Sequence, residues 1–561
     1  MMKKNKMLLA TTDYFDNILG RSQLFSRKHL DSLHHYLRAI GVDRHQWMFN
    51  PVYTFYDPIP DGFDLIREAV ASAHAHGLEF FAVLKPFEGG GSGNALPLSS
   101  PTPKGVRFVK DMRGIHPVVR ALVAERPQWC LQRRPGTFRA VGPVASIRLV
   151  KQDDKPTRLK PEHLSLWTSD KNNNFQRYDG PISFRETVEW RSGFPKSRFC
   201  RVFHLEDLRL NAKHPYLLIR CSLADGDGDF ANERGKLVEL INDQHAEIPI
   251  ILSSGRTGFT SMRDQYPEIW DTILPYFQSP EVKKILQEDG GAGLYRDFYA
   301  FEERQKVTEV HVLDKVGYVA VACGKPEYLT GNLHPIYPEV RRYWLDMLRF
   351  CLDRGVDGVN IRTANHSRSP EAWEYGFNAP VLQAAGGRTD YPTVRRINGD
   401  AYTLFLRQAR DLVKSYGKSI TIHLYSQMLM PDDRGEQLSY IPLNFDWQWQ
   451  TWVQEIADDL EFRGAWTLRP WNLRQVLETF SSVTQASGKP FYFQCNMKEL
   501  GFAGPHRFTA AEIEMVKRNP ALDGLVLYET ANFTQMEKEG ILGSEDLASL
   551  LKEKWNRAAD E

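Results

Sequence analysis

The chain of 561 residues reads as an α/β protein, a (β/α)8 TIM barrel with a β-sandwich inserted between its third and fourth strands. Three observations predict this. One unit recurs along the sequence: an amphipathic helix, a glycine stop, a short apolar strand, and a polar residue where the strand runs out. Eight such strands can be counted. The rhythm breaks over one interval, residues 135–320, where the helical period fades into short β-like runs between turn residues.

In chain order, the first two strands are read at 7–11 and 45–49. A helix face of Leu65, Ile66, Ala69, Val70 and Ala73 stops at Gly77 and leads to the third strand, 79–84, which runs out at Lys85. The clearest unit follows the break. Val340, Tyr343, Trp344, Met347, Leu348 and Cys351 share one helical face, Pro338 suits the helix start, and Gly355 suits the left-handed residue just past its end. Its strand, 357–362, is short and apolar, as a strand buried on both faces requires, and runs out into Arg362, Asn365 and His366. Tyr402, Phe405, Leu406, Ala409, Leu412, Val413 and Tyr416 lead through Gly417 to the fifth strand, 419–424, with His423 near its end. The sixth, 459–463, and the second have the weakest patterns. Leu473, Val476, Leu477 and Phe480 precede the seventh, 491–495. A capping box at Thr509 and Glu512 opens the helix before the eighth, 524–529, which ends on Glu529. A closing helix is expected around 544–555. An open doubly wound sheet would give similar local patterns, but no GxGxxG opens a helix.

Inside the interval, runs at 144–150, 187–190, 200–203, 216–221, 236–241 and 248–252 have the spacing of a β-sandwich. The organisation is therefore barrel (1–134), inserted sandwich-like domain (135–320) and barrel (321–561), the insert occupying one βα loop. Lys plus Arg total 71 against 70 Asp plus Glu, a net charge of +1, so no bulk attraction to nucleic acid is expected. No apolar run reaches the ~18 residues a membrane span needs. The basic start carries too few apolar residues for a signal peptide, which favours the cytoplasm for the sequence as numbered, or a chain already trimmed. Six cysteines without a CxxC read as reduced, structural thiols.

The fourth-strand segment, together with Tyr375-Gly376-Phe377-Asn378, Gly399-Asp400-Ala401-Tyr402, Trp452-Val453 and Ile456-Ala457-Asp458, resembles bacterial glycosyl-hydrolase-like barrels of family ten. The likeness covers the barrel and leaves the insert aside. It implies a TIM barrel acting on a carbohydrate. Where many such relatives carry an acid in the fourth strand, this chain has Asn360.

Chemistry in such barrels gathers where strands end. Glycoside cleavage needs two carboxyls flanking one bond. Glu529 is the first candidate, with a rim ion pair as the alternative, and Glu374 or Asp446 is expected to supply the second carboxyl. Glu461 lies within the sixth strand and reads as interior or salt-bridged. Lys85, Arg362, Asn365, His366, His423, Arg463, Gln494 and Asn496 form a basic and amide-rich set suited to a hydroxyl-rich sugar bearing carboxylate or sulfate. Trp447 is a candidate sugar platform, whereas Trp452 fits a core register. No HExxH or DxDxDG spacing supports a metal, and no cofactor is expected.

The sequence thus points to a glycoside hydrolase acting on an oligo- or polysaccharide, including an anionic one. A polysaccharide lyase-type enzyme and a catalytically inert carbohydrate-binding barrel stay open.

Overall fold

A computed structural model describes residues 6–13, 26–48, 64–87, 126–137, 142–151, 153–169, 176–191, 198–221, 229–231, 238–248, 250–253, 310–312, 317–323, 327–364, 372–429, 441–442, 444–463, 473–496 and 506–555. Eight strands close into a barrel: β1 (Met7–Asp13), β2 (Arg44–Met48), β3 (Glu79–Leu84), β4 (Gly358–Ile361), β5 (Ser419–Tyr425), β6 (Asp459–Arg463), β7 (Phe491–Asn496) and β8 (Gly524–Tyr528). All neighbours pair in parallel, and β1 closes on β8 with Met7 opposite Gly524. Each strand overlaps the run expected for it, the weak second and sixth included.

Helices α1 (Arg27–Ala39), α2 (Leu65–Ala75), α3 (Pro338–Leu352), α4 (Tyr391–Ser415), α5 (Leu473–Ala486), α6 (His506–Arg518) and α7 (Glu545–Lys554) alternate with the strands, except that among the described residues only short helical turns, Ser426–Leu429, Trp449–Thr451 and Trp452–Ile456, lie between β5 and β6. In α3 the expected stripe is real, with Val340, Trp344, Leu348 and Cys351 buried. Gly355 follows at φ 88°, a conformation that a side chain would strain. One start differs from expectation: α6 begins at His506, so Thr509 lies inside it rather than capping it.

Strand residues alternate between two environments. Those facing outward, among them Leu8, Ala10, Phe80, Ala82, Ile361, Ile422, Phe462, Phe493 and Leu527, join the helix faces in one continuous apolar core. Facing inward, Leu9, Tyr492 and Val526 form a small floor cluster, and Met48, Val83 and Tyr528 another near the strand ends. Polar side chains fill much of the rest. At the floor, Arg44 Nη1 donates to Asp459 Oδ2 at 2.8 Å and Nε to Glu79 Oε2 at 2.8 Å, while the guanidinium stacks 3.8 Å above the Phe81 ring. Thr421 donates its hydroxyl to Asp459. Burial raises the Asp459 carboxyl against the opposing pull of Arg44 and Thr421.

Between β3 and β4 lie two five-stranded antiparallel sheets. One runs in the order Ile250–Ser253, Gly317–Cys323, Tyr216–Cys221, Leu164–Ser169, Gln176–Arg177. The other runs Glu247–Ile248, Val238–Asn242, Val144–Val150, Arg198–Glu206, Ser183–Arg191. Leu166, Leu217 and Ile219 of the first and Ile147, Leu149, Phe203, Leu205 and Leu240 of the second share one apolar cluster, separate from that of the barrel. Cys130–Gln132 pairs antiparallel with Tyr328–Leu333, so the chain leaves and rejoins the barrel side by side. The five described free cysteines are all buried. No described helix is long and apolar enough to cross a membrane.

Candidate active site

Period-two alternation carries one polar set up the inside of the barrel towards the C-terminal strand ends. Glu461 of β6 sits at its centre, 1% exposed. Asn360 Nδ2 of β4 donates to Glu461 Oε2 at 3.0 Å and to Gln46 Oε1 of β2 at 3.0 Å. Thr11 Oγ1 of β1 donates to the same Gln46 oxygen at 3.4 Å. On the other side, the Gln494 amide of β7 places its nitrogen 2.9 Å from Glu461 Oε1, and its oxygen accepts from Arg463 Nη1 at 3.1 Å. A hydrogen-bonded belt therefore crosses the barrel interior from Thr11 to Arg463.

His423 of β5 lies beside this belt, with Nε2 3.4 Å from Glu461 Oε2. Burial lowers the imidazole below its ordinary value; Glu461 pulls it back up, and Arg362 and Arg463 push it further down. For Glu461, burial favours the neutral acid, but His423 and the amides of Asn360 and Gln46 outweigh it and hold the carboxyl below the usual range. A neutral imidazole beside a fixed carboxylate results. Above them, Arg362 Nη1 donates to Tyr528 OH at 3.3 Å and to Met48 Sδ at 3.2 Å. The Arg463 guanidinium lies 4.4 Å from the centroid of the same Tyr528 ring. Two strand-end arginines thus flank one tyrosine. Lys85, which follows β3, and Glu529, which follows β8, are buried at the same end. The peptide bond between Tyr528 and Glu529 is cis.

Of the residues expected from sequence, the structure brings Arg362, His423 and Arg463 together and places Lys85 and Glu529 at the same rim. Asn365 and His366 lie outside the described residues, as does the side chain of Asn496. Glu374 sits in the short turn Ala372–Glu374 after β4. Its Oε1 accepts from Tyr391 OH at 3.4 Å, and its carbonyl from Arg134 N at 2.7 Å. Asp446 is exposed, with its N–H donating to Arg395 O at 2.9 Å. No described hydrogen bond or ion pair joins either acid to the group at the strand ends. Trp447 is not an open platform. Its ring packs against Tyr402, Phe445 and Trp452 at 4.9, 5.6 and 5.8 Å, and Nε1 donates to Pro442 O. Its faces are taken by Tyr402 of α4 and by its chain neighbours Phe445 and Trp452. Tyr528 and Gln46 are the residues sequence reasoning passed over; Glu461, expected to be interior or salt-bridged, is interior, and Asn360, noted only as standing where an acid was expected, is its hydrogen-bond donor. The signal was there: 459, 461 and 463 alternate as polar positions on one face, as do 360 and 362.

The residues around Gly376, Asn378, Asn398 and Gly399 serve packing between loops. Asn398 Nδ2 donates to Gly376 O and Asn444 O at 3.2 and 2.7 Å, and its oxygen lies 3.1 Å from His334 Nε2. A Cβ on Gly399 would meet Asp446 O at 2.1 Å, so only glycine fits there. Asn378 holds the Gln132 N–H and the Cys130 carbonyl.

Buried histidines make stability acid-sensitive. Burial pushes His45 and His334 down to about 3, and His34 in the same direction. The unfolded chain protonates them near pH ~6.5, the folded one does not, so their contribution is complete above that pH and is lost as pH falls towards 3. At pH ~5 each of the first two should cost about 2 kcal/mol relative to pH ~7. The expected result is a melting temperature that falls steadily below pH ~6.5; a flat profile from pH ~7 to ~5 would contradict it.

Among the described residues no group of three His, Cys, Asp or Glu side chains is set to hold a metal. No family model and no curated protein matches this chain.

Proposed function

We propose that the protein is a carbohydrate-active enzyme, a glycoside hydrolase that binds an oligo- or polysaccharide carrying carboxylate or sulfate groups at the C-terminal end of the barrel. The observation that carries this reading is the pair of buried guanidiniums, Arg362 and Arg463, on either side of Tyr528. Each offers a planar fork of donors to an anionic oxygen pair, and the amides of the belt below can read hydroxyls. Glu529 is the proton-transfer carboxyl. Glu461, held ionised in the same interior, is better placed than Glu374 or Asp446 to stabilise positive charge on the sugar ring. A screen of neutral, uronate-containing and sulfated glycans with mass spectrometry of products tests the reading. Cleavage of neutral glycans alone would remove the anionic substrate, and binding without turnover would leave a carbohydrate-binding barrel.

A lyase is the second reading, favoured by the neutral His423 beside Arg362 and Arg463. A neutral imidazole can take the proton next to a uronate carboxylate that arginines neutralise. Its product would be an unsaturated sugar absorbing in the ultraviolet; a hydrolase makes none.

Arg362→Lys separates charge from fork geometry in either case. Lysine keeps the charge but cannot bind in bidentate fashion, so affinity for an anionic glycan should fall by about 1–3 kcal/mol. Unchanged affinity in the folded variant would rule out this role.

The two sheets near 135–320 are read as a β-sandwich module separable from the barrel, supported by their shared apolar cluster and the paired strands at its base. Limited proteolysis should cut near both joins and leave the barrel fragments associated. Protection of both joins would count against a separable module.

A further inference from the structure

The second of the two antiparallel sheets ends on a long edge strand, Ser183–Arg191. It pairs with Arg198–Glu206 along its whole length, from Ser183 opposite Glu206 to Arg191 opposite Arg198. Among the described residues no backbone hydrogen bond leaves its other side. None of its residues is buried, whereas Val202, Phe203 and Leu205 of the neighbouring strand are. The other edges of the two sheets are shorter: Glu247–Ile248, Gln176–Arg177 and Ile250–Ser253. At ~3.4 Å per residue this one presents about 30 Å of backbone donors and acceptors. Apolar groups stand out beside it. Ile182, Val188 and Trp190 are 37, 48 and 58% exposed, and the Trp190 ring meets Phe199 edge-on at 5.0 Å.

Alternation puts Phe184, Glu186, Val188 and Trp190 on one face of the strand, and Arg185, Thr187, Glu189 and Arg191 on the other. Charges on an edge usually discourage further pairing. Here their order matches the same strand running the opposite way. With a two-fold axis at Thr187, Arg185 of one copy falls opposite the partner's Glu189, and Phe184 opposite the partner's Trp190. Symmetry repeats both pairs, and no like charges face each other. Other registers are penalised. The axis has to pass through a residue, so that outward backbone groups meet outward ones. Placed at Arg185, Glu186 or Glu189, it sets that charge against its own copy; placed at Val188, it sets Arg185 against Arg191. These are all the slips that keep at least half the strand paired. The groups also have capacity to spare. Arg185 Nε and Nη2 donate to Glu206 at 3.4 and 2.7 Å, and Nη1 has no described partner. Glu189 Oε2 accepts only from Arg191 Nη2, at 3.2 Å, and keeps a lone pair.

We propose that two copies of the chain associate through this edge, Ser183–Arg191 pairing antiparallel with its own copy about a two-fold axis at Thr187 to form one ten-stranded sheet. Backbone hydrogen bonds along the strand supply the attachment, as when a peptide adds to a sheet edge. Exposed ion pairs contribute little affinity, but the two Arg185–Glu189 pairs discriminate between registers. Trp190 is covered by the partner's Phe184, which removes exposed aromatic surface on both sides of the axis. A second copy is the fitting partner because the charge order complements its own inverse, and an unrelated strand has no reason to carry that order. Such a contact is isologous and closes at two chains, since each edge is used once. The association does not depend on the glycan reading of the barrel.

Sedimentation equilibrium of the full chain tests the pairing. A species of twice the 64.5 kDa chain mass is expected, dissociating on dilution. Charge exchange tests the register. Arg185→Glu and Glu189→Arg each set like charges together twice, so each variant alone should sediment as a monomer. Mixed in equal amounts the two should form a heterodimer, because each restores the opposite charge that the other needs. Thr187→Cys should cross-link two chains on mild oxidation, since directly opposite Cα atoms lie ~4.5–5.5 Å apart, within disulfide reach. Val188→Cys, two residues out of step with its copy, should not. The cysteine variants leave every charge in place and decide the matter if a charge variant fails to fold. A chain that stays monomeric at ~0.1 mM would overturn the proposal. So would a dimer that survives both charge changes without cross-linking at Thr187, which would put the contact on another face. A monomer retained on a sulfated-glycan column, and released by Trp190→Ala, would give this surface to a sugar and overturn it equally.

Discussion

Glu529→Gln should keep its fold and its affinity for glycan while losing nearly all turnover. Glu529 ends β8 directly after the Gly524–Tyr528 run, 2% exposed, at the end of the barrel where strand-end chemistry collects. Glutamine keeps the size and most of the hydrogen bonding but can neither carry the charge nor exchange a proton. A general acid or base contributes about 100- to 10,000-fold to the rate, and a nucleophile often contributes more. If Glu529 only pairs with a cation at the rim, the same change would lower the melting temperature and leave the rate per folded molecule intact. Turnover and melting measured on one preparation separate the two roles.

Asp459→Ala should be the most destabilising single change in the barrel interior. The alanine leaves Arg44 enclosed at the floor without the carboxylate that accepts from its Nη1, and leaves Thr421 without its acceptor. Glu79, the other partner of Arg44, is half exposed and screened by solvent. Removing one member of a buried pair costs about 3–5 kcal/mol, because the remaining charge keeps its desolvation penalty. Asp459→Asn, which keeps the shape and one acceptor, should fall between alanine and wild type. Denaturation midpoints for the three proteins provide the check, and an alanine variant as stable as wild type would show that Arg44 finds another route to satisfaction.

The barrel was legible because its outer shell follows two periods that local sequence can express. Helix faces such as Val340–Trp344–Leu348–Cys351 repeat every three to four residues, and outward strand positions such as Ile420, Ile422 and Leu424 repeat every two. Glycine stops such as Gly355 mark the helix ends because the chain there turns left-handed. The strand-end position of Arg362, His423, Arg463 and Glu529 follows from the same periods, since a polar residue after an apolar run marks where a strand leaves the core. The start of α6 was misplaced because a Thr–x–x–Glu spacing carries no information about whether the preceding residues are already helical.

Sequence alone determined the eight-stranded architecture, the interval where it is interrupted and which residues stand at the strand ends. Which of these meet was decided only in three dimensions. Glu461 joins Asn360, Gln494 and His423 because β4, β5, β6 and β7 lie side by side in a closed sheet, bringing together residues separated by as much as 134 positions. Trp447 is buried rather than displayed because Tyr402 on a distant helix turns its ring onto it. His34 and His45, unremarkable in sequence, come within 2.8 Å because α1 packs across β2. Periodicity records which face a residue lies on. Partners on that face are set by closure of the barrel and the return of loops onto helices, contacts between residues too far apart in the chain for any local pattern to encode.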